Sequence, residues 1–177
     1  CPHVQLSWQS GCDATLKRMN RKYDTARFRE SVHLLNQYFH RPAITTDLIC
    51  GFPEETEEEF GQTLAFIEEC GFAAMHIFPY SIRPGTKAAA MGQVPPAVKE
   101  QRTARAGQVA GRMHRAYLEG CVGQVYPVLF EQAKDGLYTG HAPNYMEVGV
   151  AADGLHNVIL DVKITGVDGE ILRGELT

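Results

Sequence analysis

The pattern of hydrophobic residues changes once along this 177-residue chain, near Cys121, and that change restricts it to a fold in two parts. Before it, β-prone runs are separated by long stretches of helical period. His3 to Trp8 alternates polar and apolar side chains, and from Thr25 onward Phe28, Val32, Leu35 and Phe39 form one stripe that Arg41-Pro42 stops. Ala43 to Cys50 is a second strand candidate. A helix carrying Phe60, Leu64 and Ile67 then runs to Cys70-Gly71, and Phe72 to Tyr80 is a third strand. Three strands alternating with two helices are the pattern of βαβ units and a parallel sheet, whose ligands bind at the C-terminal strand ends. Here those ends are Gln9-Ser10-Gly11, Gly51-Phe52-Pro53 and Ser81 to Thr86.

A long helix is expected after Val94-Pro95-Pro96, to about Gly120, with Ala106, Val109, Ala110, Met113 and Tyr117 on one stripe and Arg105, Arg112 and Arg115 along its flank. Beyond it the runs are short: Val122 to Phe130, Leu137 to Gly140, Tyr145 to Val150, Asn157 to Thr165 and Glu170 to Leu176. Turn signals at Lys134-Asp135-Gly136, Asp153-Gly154 and Asp168-Gly169 separate them. Such closely spaced strands predict a small antiparallel β-barrel of the oligonucleotide-binding type. The expected divisions are residues 1–95, 96–121 and 122–177.

A composition of 44% hydrophobic and 21% charged residues is that of a globular protein. No apolar run approaches the roughly 18 residues of a spanning helix, so no membrane partner is expected. The net charge of -4 excludes a global basic footprint for nucleic acid, so any RNA contact must be local. Residues 1–121 carry 14 basic and 13 acidic side chains, against 3 and 8 in residues 122–177. The five cysteines, at 1, 12, 50, 70 and 121, lack the close spacing of a zinc or iron-sulfur motif and read as core filler in a reduced, cytoplasmic protein. The chain opens at Cys1-Pro2 almost directly into a strand, which suggests a missing N-terminal portion.

Several residues carry candidate chemistry. Thr56 followed by Glu59 is a capping box, so the run Glu54 to Glu59 reads mainly as a helix start. Asp47 lies inside an apolar strand, where a carboxylate needs a partner or faces a pocket. Lys17, Arg18, Arg21 and Lys22, with Asn20 and Tyr23 among them, form either a phosphate-binding cluster or a solvated helix end. Arg83, in a Pro-Gly turn, is suited to hold a carboxylate or phosphate, and Gln9 offers both donor and acceptor to a ligand or caps its own turn. No serine elbow, Walker loop or dinucleotide fingerprint appears, which weakens hydrolase and NTPase readings.

Three stretches together carry a resemblance. Gln9-Ser10-Gly11-Cys12-Asp13-Ala14-Thr15 through Tyr23, Thr45-Thr46-Asp47-Leu48-Ile49-Cys50-Gly51-Phe52-Pro53 with Glu55-Thr56-Glu57-Glu58, and His76 to Ser81 with Arg83-Pro84-Gly85-Thr86 resemble, in order and spacing, the radical S-adenosylmethionine (SAM) methylthiotransferases. The first is most similar to the branch acting on N6-threonylcarbamoyladenosine beside the tRNA anticodon. Related branches act on isopentenyladenosine in tRNA or on a ribosomal protein. The resemblance implies the C-terminal half of a radical barrel, a connecting helix and a TRAM domain, a small RNA-binding barrel. It further implies S-adenosylmethionine and two 4Fe-4S clusters as cofactors, a radical that abstracts hydrogen from adenine C2, and a monomer acting on the tRNA anticodon region. Gln9, Ser10, Asp47, Gly51, Phe52, Pro53, Tyr80, Ser81 and Arg83 would face the cofactor, and Lys17, Arg18, Arg21, Lys22, Lys134, Lys163 and Arg173 the RNA.

In the family the Cys-x-x-x-Cys-x-x-Cys motif and three further cysteines lie upstream of the position of Cys1, so this segment alone is expected to be inert. The family usually has Gly where Glu54 stands. A stand-alone RNA-binding module is the competing reading.

Overall fold

The structure is a computed structural model and describes residues 2–134 and 136–177, so the opening Cys1 and the Asp135 of the expected turn lie outside the described residues. The chain divides into two compact units, one of residues 5–40 and 44–113, the other of residues 2–4, 41–43 and 114–177.

The first unit follows the order β1 (His3–Gln9), α1 (Asp13–Arg18), α2 (Thr25–Tyr38), β2 (Ala43–Cys50), α3 (Glu57–Cys70) and β3 (Ala74–Pro79), with most of α4 (Pro96–Glu119). The strands form a sheet in the order β1-β2-β3, and β2 runs parallel to β3 with Thr45 opposite Ala74 and Cys50 opposite Pro79. Helix α1 is a short element that the hydrophobic stripe did not signal. Helix α2 starts where the Asp24 carboxylate accepts the Arg27 amide and ends where Phe39 is extended, three residues before Pro42. Helix α3 has both hydrogen bonds of the Thr56–Glu59 capping box and stops at Gly71, which takes a left-handed φ of 64°.

Strand alternation gives the sheet two different faces. Leu6, Trp8, Leu48, Cys50, Met75 and Ile77 pack with Phe28, Val32, Phe60, Phe66, Ile67, Ala106 and Val109 in one apolar core. Trp8 is its centre, with Phe28 and Phe66 rings 4.8 and 4.4 Å away. The opposite parity carries Gln5, Ser7, Gln9, Asp47, Ile49, His76 and Phe78, a mixed polar and apolar face.

The second unit contains a closed barrel of β4 (Val125–Lys134), β5 (Leu137–His141), β6 (Glu147–Val150), β7 (Val158–Asp168) and β8 (Ile171–Leu176), in the order β4-β5-β6-β8-β7. All neighbouring pairs are antiparallel except β6 with β8, whose parallel pairing closes the ring. The first barrel strand begins later than Val122 because Gly123 turns the chain at φ 85°. Val128, Phe130, Val148, Val162, Ile164 and Leu172 fill the interior. Gly140 lets β5 cross β4 closely: a Cβ there would lie 2.0 Å from the Leu129 carbonyl oxygen.

No helix among the described residues is long and apolar enough to cross a membrane.

Candidate functional site

The C-terminal ends of β2 and β3, with the end of α1, build one site in the first unit. The β2 loop turns at Gly51, whose φ is 70° and where a Cβ would lie 2.5 Å from Lys99 Cγ, so glycine is needed for both conformation and space. Phe52 and Pro53 follow, both buried, and Glu54 takes a left-handed φ of 63°. The Phe52 and Tyr80 rings meet edge to face at 5.2 Å. The β3 end is tied to β2 by the Tyr80 amide donating to the Cys50 carbonyl at 2.8 Å. Ile49, Phe78, Pro79, Tyr80, Ser81 and Arg83 line a groove of about 460 Å³, and an adjoining groove brings Phe52, Tyr80 and Arg83 together with Arg18 and Asn20.

Helix α4 holds these loops from beneath with charges. Arg102, nearly fully buried, donates to the Glu55 carboxylate at 2.9 Å and to the Glu55 carbonyl at 3.0 Å. The same carboxylate accepts the Gly51 amide at 3.2 Å. Burial pushes the Glu55 carboxyl above its ordinary value, against the opposing pull of Arg102 and of the Gly51 and Phe52 amides. Lys99, also buried, donates to the Tyr80 carbonyl at 3.2 Å and lies 4.9 Å from the Tyr80 ring centroid. Glu55 stands in the second motif without a role of its own in the sequence reading, and Lys99 and Arg102 stand outside every motif. No local signal in the sequence points to them, since Arg102 meets Glu55 only across 47 residues of chain.

The candidate residues separate in the structure. The Gln9 Oε1 and Tyr80 Oη atoms are buried and without hydrogen-bond partners, and Gln9 sits at φ 80°, an uncommon backbone for a residue with a side chain. Ser10 instead turns inward: its hydroxyl lies 3.4 Å from Thr63 Oγ1 and accepts the Cys12 amide. It shapes the β1 loop. Asp47 sits three residues before the β2 end and accepts from Gln5 Nε2 at 3.3 Å on both oxygens. Ser81 and Arg83 are exposed beside the groove.

Of the basic cluster, Arg18 is bound in a fork by Glu59 at 2.8 and 2.5 Å, which raises its pKa and holds the Glu59 carboxyl below the usual range. Lys17 and Arg21 are exposed, and Lys22 donates to Asn20 at 3.1 Å. Tyr23, within the same cluster, donates its hydroxyl to the Trp8 carbonyl at 2.7 Å. In the barrel, Lys134 and Lys163 are exposed. Arg173 is paired with Asp168 at 2.6 Å, in a groove that Lys134 and Glu147 also line.

The buried orphan atom of Tyr80, beside apolar Phe52 and Ile49, fits a cofactor that presents both a flat heterocycle and hydrogen-bonding groups, as S-adenosylmethionine does, and Gln9 Oε1 at the end of β1 is a second such atom. An iron-sulfur cluster does not fit the residues present: among those described, no three His, Cys, Asp or Glu side chains are grouped to hold a metal ion. Cys12, Cys50, Cys70 and Cys121 are free and buried, and burial pushes the Cys50 and Cys70 thiols up to about 12.

Comparison with known proteins agrees with this geometry. The radical SAM superfamily matches residues 1–67. The chain is 36% identical to a threonylcarbamoyladenosine tRNA methylthiotransferase of Chlamydia pneumoniae, over 99% of this chain and 42% of that protein. It is 38% identical to one from Bacillus subtilis, over 82% of this chain and 34% of the other. A tRNA-2-methylthio-N(6)-dimethylallyladenosine synthase of Chloroflexus aurantiacus is 36% identical, over 98% and 38%. The chain thus spans less than half the length of these relatives. Coproporphyrinogen III oxidase from Escherichia coli, a radical SAM enzyme, shares the fold with a TM-score of 0.51 and 20% identity, over 61% of this chain and 27% of that one. With residues of its three motifs gathered at one site and its sequence aligned to these relatives, the chain belongs to the radical SAM methylthiotransferase family.

Proposed function

We propose that the protein containing this chain is a tRNA methylthiotransferase that modifies N6-threonylcarbamoyladenosine next to the anticodon, and that this chain supplies part of its cofactor pocket and its RNA contacts. The observation that carries the reading is 36 to 38% identity to tRNA methylthiotransferases over 82 to 99% of the chain. The orphan Gln9 and Tyr80 atoms support it, because a module that only binds RNA has no use for buried, unpartnered polar atoms at strand ends.

S-adenosylmethionine would supply radical and methyl chemistry when bound with a cluster held elsewhere in the protein. The chain's own residues bind and exclude water. Gln9 and Tyr80 offer hydrogen bonds, Phe52 and Ile49 pack against the heterocycle, and Lys99 and Arg102 fix the loops that carry them. Lys17 and Arg21, exposed beside α1, meet phosphate, and the barrel, read as a TRAM domain of residues 122–177, adds contacts through Lys134 and Lys163. The protein works as a cytoplasmic monomer with two 4Fe-4S clusters.

The test is anaerobic reconstitution of the intact protein, followed by incubation with S-adenosylmethionine, reductant, a sulfur source and tRNA bearing threonylcarbamoyladenosine. Mass spectrometry of the digested nucleosides is expected to find the 2-methylthio product. An intact protein that binds no iron and cleaves no S-adenosylmethionine overturns the reading.

A further inference from the structure

The groove next to the cofactor-facing residues is about 350 Å³ and joins apolar Met19, Phe52 and Tyr80 to the cations Arg18, Arg83 and Lys87. Their charges are not equally available. Arg18 is spent on Glu59, and it also feels Glu54. Arg83 and Lys87 take part in no ion pair among the described residues, and both are exposed. One turn presents them together: the Arg83 carbonyl accepts the Thr86 hydroxyl at 2.8 Å and its amide at 3.3 Å. Thr86 then caps the short helical turn that begins at Lys87. Two unneutralised cations beside an apolar surface suit a ligand that is apolar at one end and anionic at the other.

We infer that this groove holds the N6 substituent of the target adenosine, with Lys87 and Arg83 on its carboxylate, so that a threonylcarbamoyl group is favoured over a dimethylallyl group. The inference rests on the methylthiotransferase reading above. A threonylcarbamoyl group ends in a carboxylate that both cations can reach. A dimethylallyl group gains contacts with Met19 and Phe52 but strips water from two cations and returns no counter-charge. Specificity is the difference between those two outcomes. The carboxylate of S-adenosylmethionine is the other anion within reach of this region, and Arg83 is shared with the cofactor reading. Lys87 is therefore the residue that separates the two sources.

The experiment uses the intact reconstituted enzyme on two tRNAs that differ only in carrying threonylcarbamoyl- or dimethylallyl-adenosine. Lys87→Met is expected to lower kcat/KM on the first by about tenfold and Lys87→Glu by about a hundredfold, as loss and reversal of a charge-assisted contact predict. Lys87→Arg is expected to restore most of it, and the preference between the two tRNAs narrows with Met and inverts with Glu. Equal losses on both tRNAs overturn the inference and make Lys87 a purely structural residue. A rise in the KM for S-adenosylmethionine with the tRNA preference intact also overturns it, by assigning the anion to the cofactor. Wild-type enzyme that modifies dimethylallyl tRNA in preference overturns the inference and the threonylcarbamoyladenosine assignment, and leaves the tRNA methylthiotransferase reading standing. Wild-type enzyme that modifies neither tRNA overturns the methylthiotransferase reading and the inference with it.

Discussion

The two units treat polar groups in opposite ways. In the α/β unit, Glu55, Lys99 and Arg102 are buried under the strand-end loops, and Gln9 Oε1 and Tyr80 Oη lie buried with nothing to bond. In the barrel unit the interior is mainly Val128, Phe130, Val148, Val162, Ile164 and Leu172, the buried Asn144 is hydrogen-bonded to the Tyr117 hydroxyl and the Met146 amide, and the cations Lys134 and Lys163 stay in water. A buried unpartnered polar atom costs about 1 to 3 kcal/mol, and a buried ion pair rarely adds net stability over an apolar substitute. The α/β unit therefore gives up stability where its loops meet, which is what a site completed by a ligand requires. The barrel is complete without one, and offers its surface.

Breaking the buried pair is the harshest test of this contrast. Arg102→Met leaves the Glu55 carboxylate and the loop it holds without a counter-charge, at an expected cost of about 3 to 5 kcal/mol in denaturant unfolding. Arg173→Met, which removes the exposed barrel pair with Asp168, is expected to cost under about 1 kcal/mol. Equal losses would erase the distinction between the two units. The barrel's own weak point is packing. Gly140→Ala forces a methyl against the Leu129 and Phe130 backbone, which cannot yield as a side chain would, and is expected to cost about 1 to 3 kcal/mol.

A smaller effect separates the units by pH. The Arg18 guanidinium lowers the Glu59 carboxyl below its unfolded value, so the pair's stabilisation is fully present above the ordinary glutamate range and is lost as pH falls through the folded value. Unfolding of the α/β unit followed by tryptophan fluorescence, through Trp8, is expected to lose stability with acid over that interval. Glu59→Gln is expected to flatten the loss. An unchanged acid profile in that variant would mean that other carboxylates set the acid limit.

Much of this architecture was legible because period and turn chemistry are local. The β1, β2 and β3 runs, the Thr56–Glu59 cap, the long α4 and the five barrel strands all follow from patterns within about a dozen residues. The parallel β6–β8 closure was not legible, since nothing local in Val148 or Leu172 states which strand lies beside it. The site divides in the same way. Gln9, Phe52, Tyr80 and Arg83 stand at strand ends that the alternation marks. Ser10 looked equivalent to Gln9 in sequence, yet strand parity sends its hydroxyl inward to Thr63. Arg102 and Lys99 were invisible because the helix that carries them is 47 residues from Glu55, and only packing brings that pair together.

Glu54 offers the gentlest test, and the one that bears on why the α/β unit tolerates cost at its loops. Its φ of 63° is a conformation that a side chain penalises by about 1 to 2 kcal/mol and glycine does not. Glycine also gains about 0.5 to 1 kcal/mol of freedom in the unfolded chain, which offsets part of that relief. Glu54→Gly is therefore expected to raise the unfolding midpoint by an amount worth about 0.5 to 1 kcal/mol with no change in slope. The fixed backbone contacts, the Glu54 amide to the Gly92 carbonyl and the Glu55 amide to the Phe52 carbonyl, remain available to glycine. If stability instead falls, the Glu54 carboxylate contributes more through Arg18 than its backbone loses, and the strain is offset by charge within the same loop. If stability rises while methylthiolation by the intact enzyme falls, the strain is retained because it sets the loop against the cofactor, which is the difference between the two units expressed in a single residue.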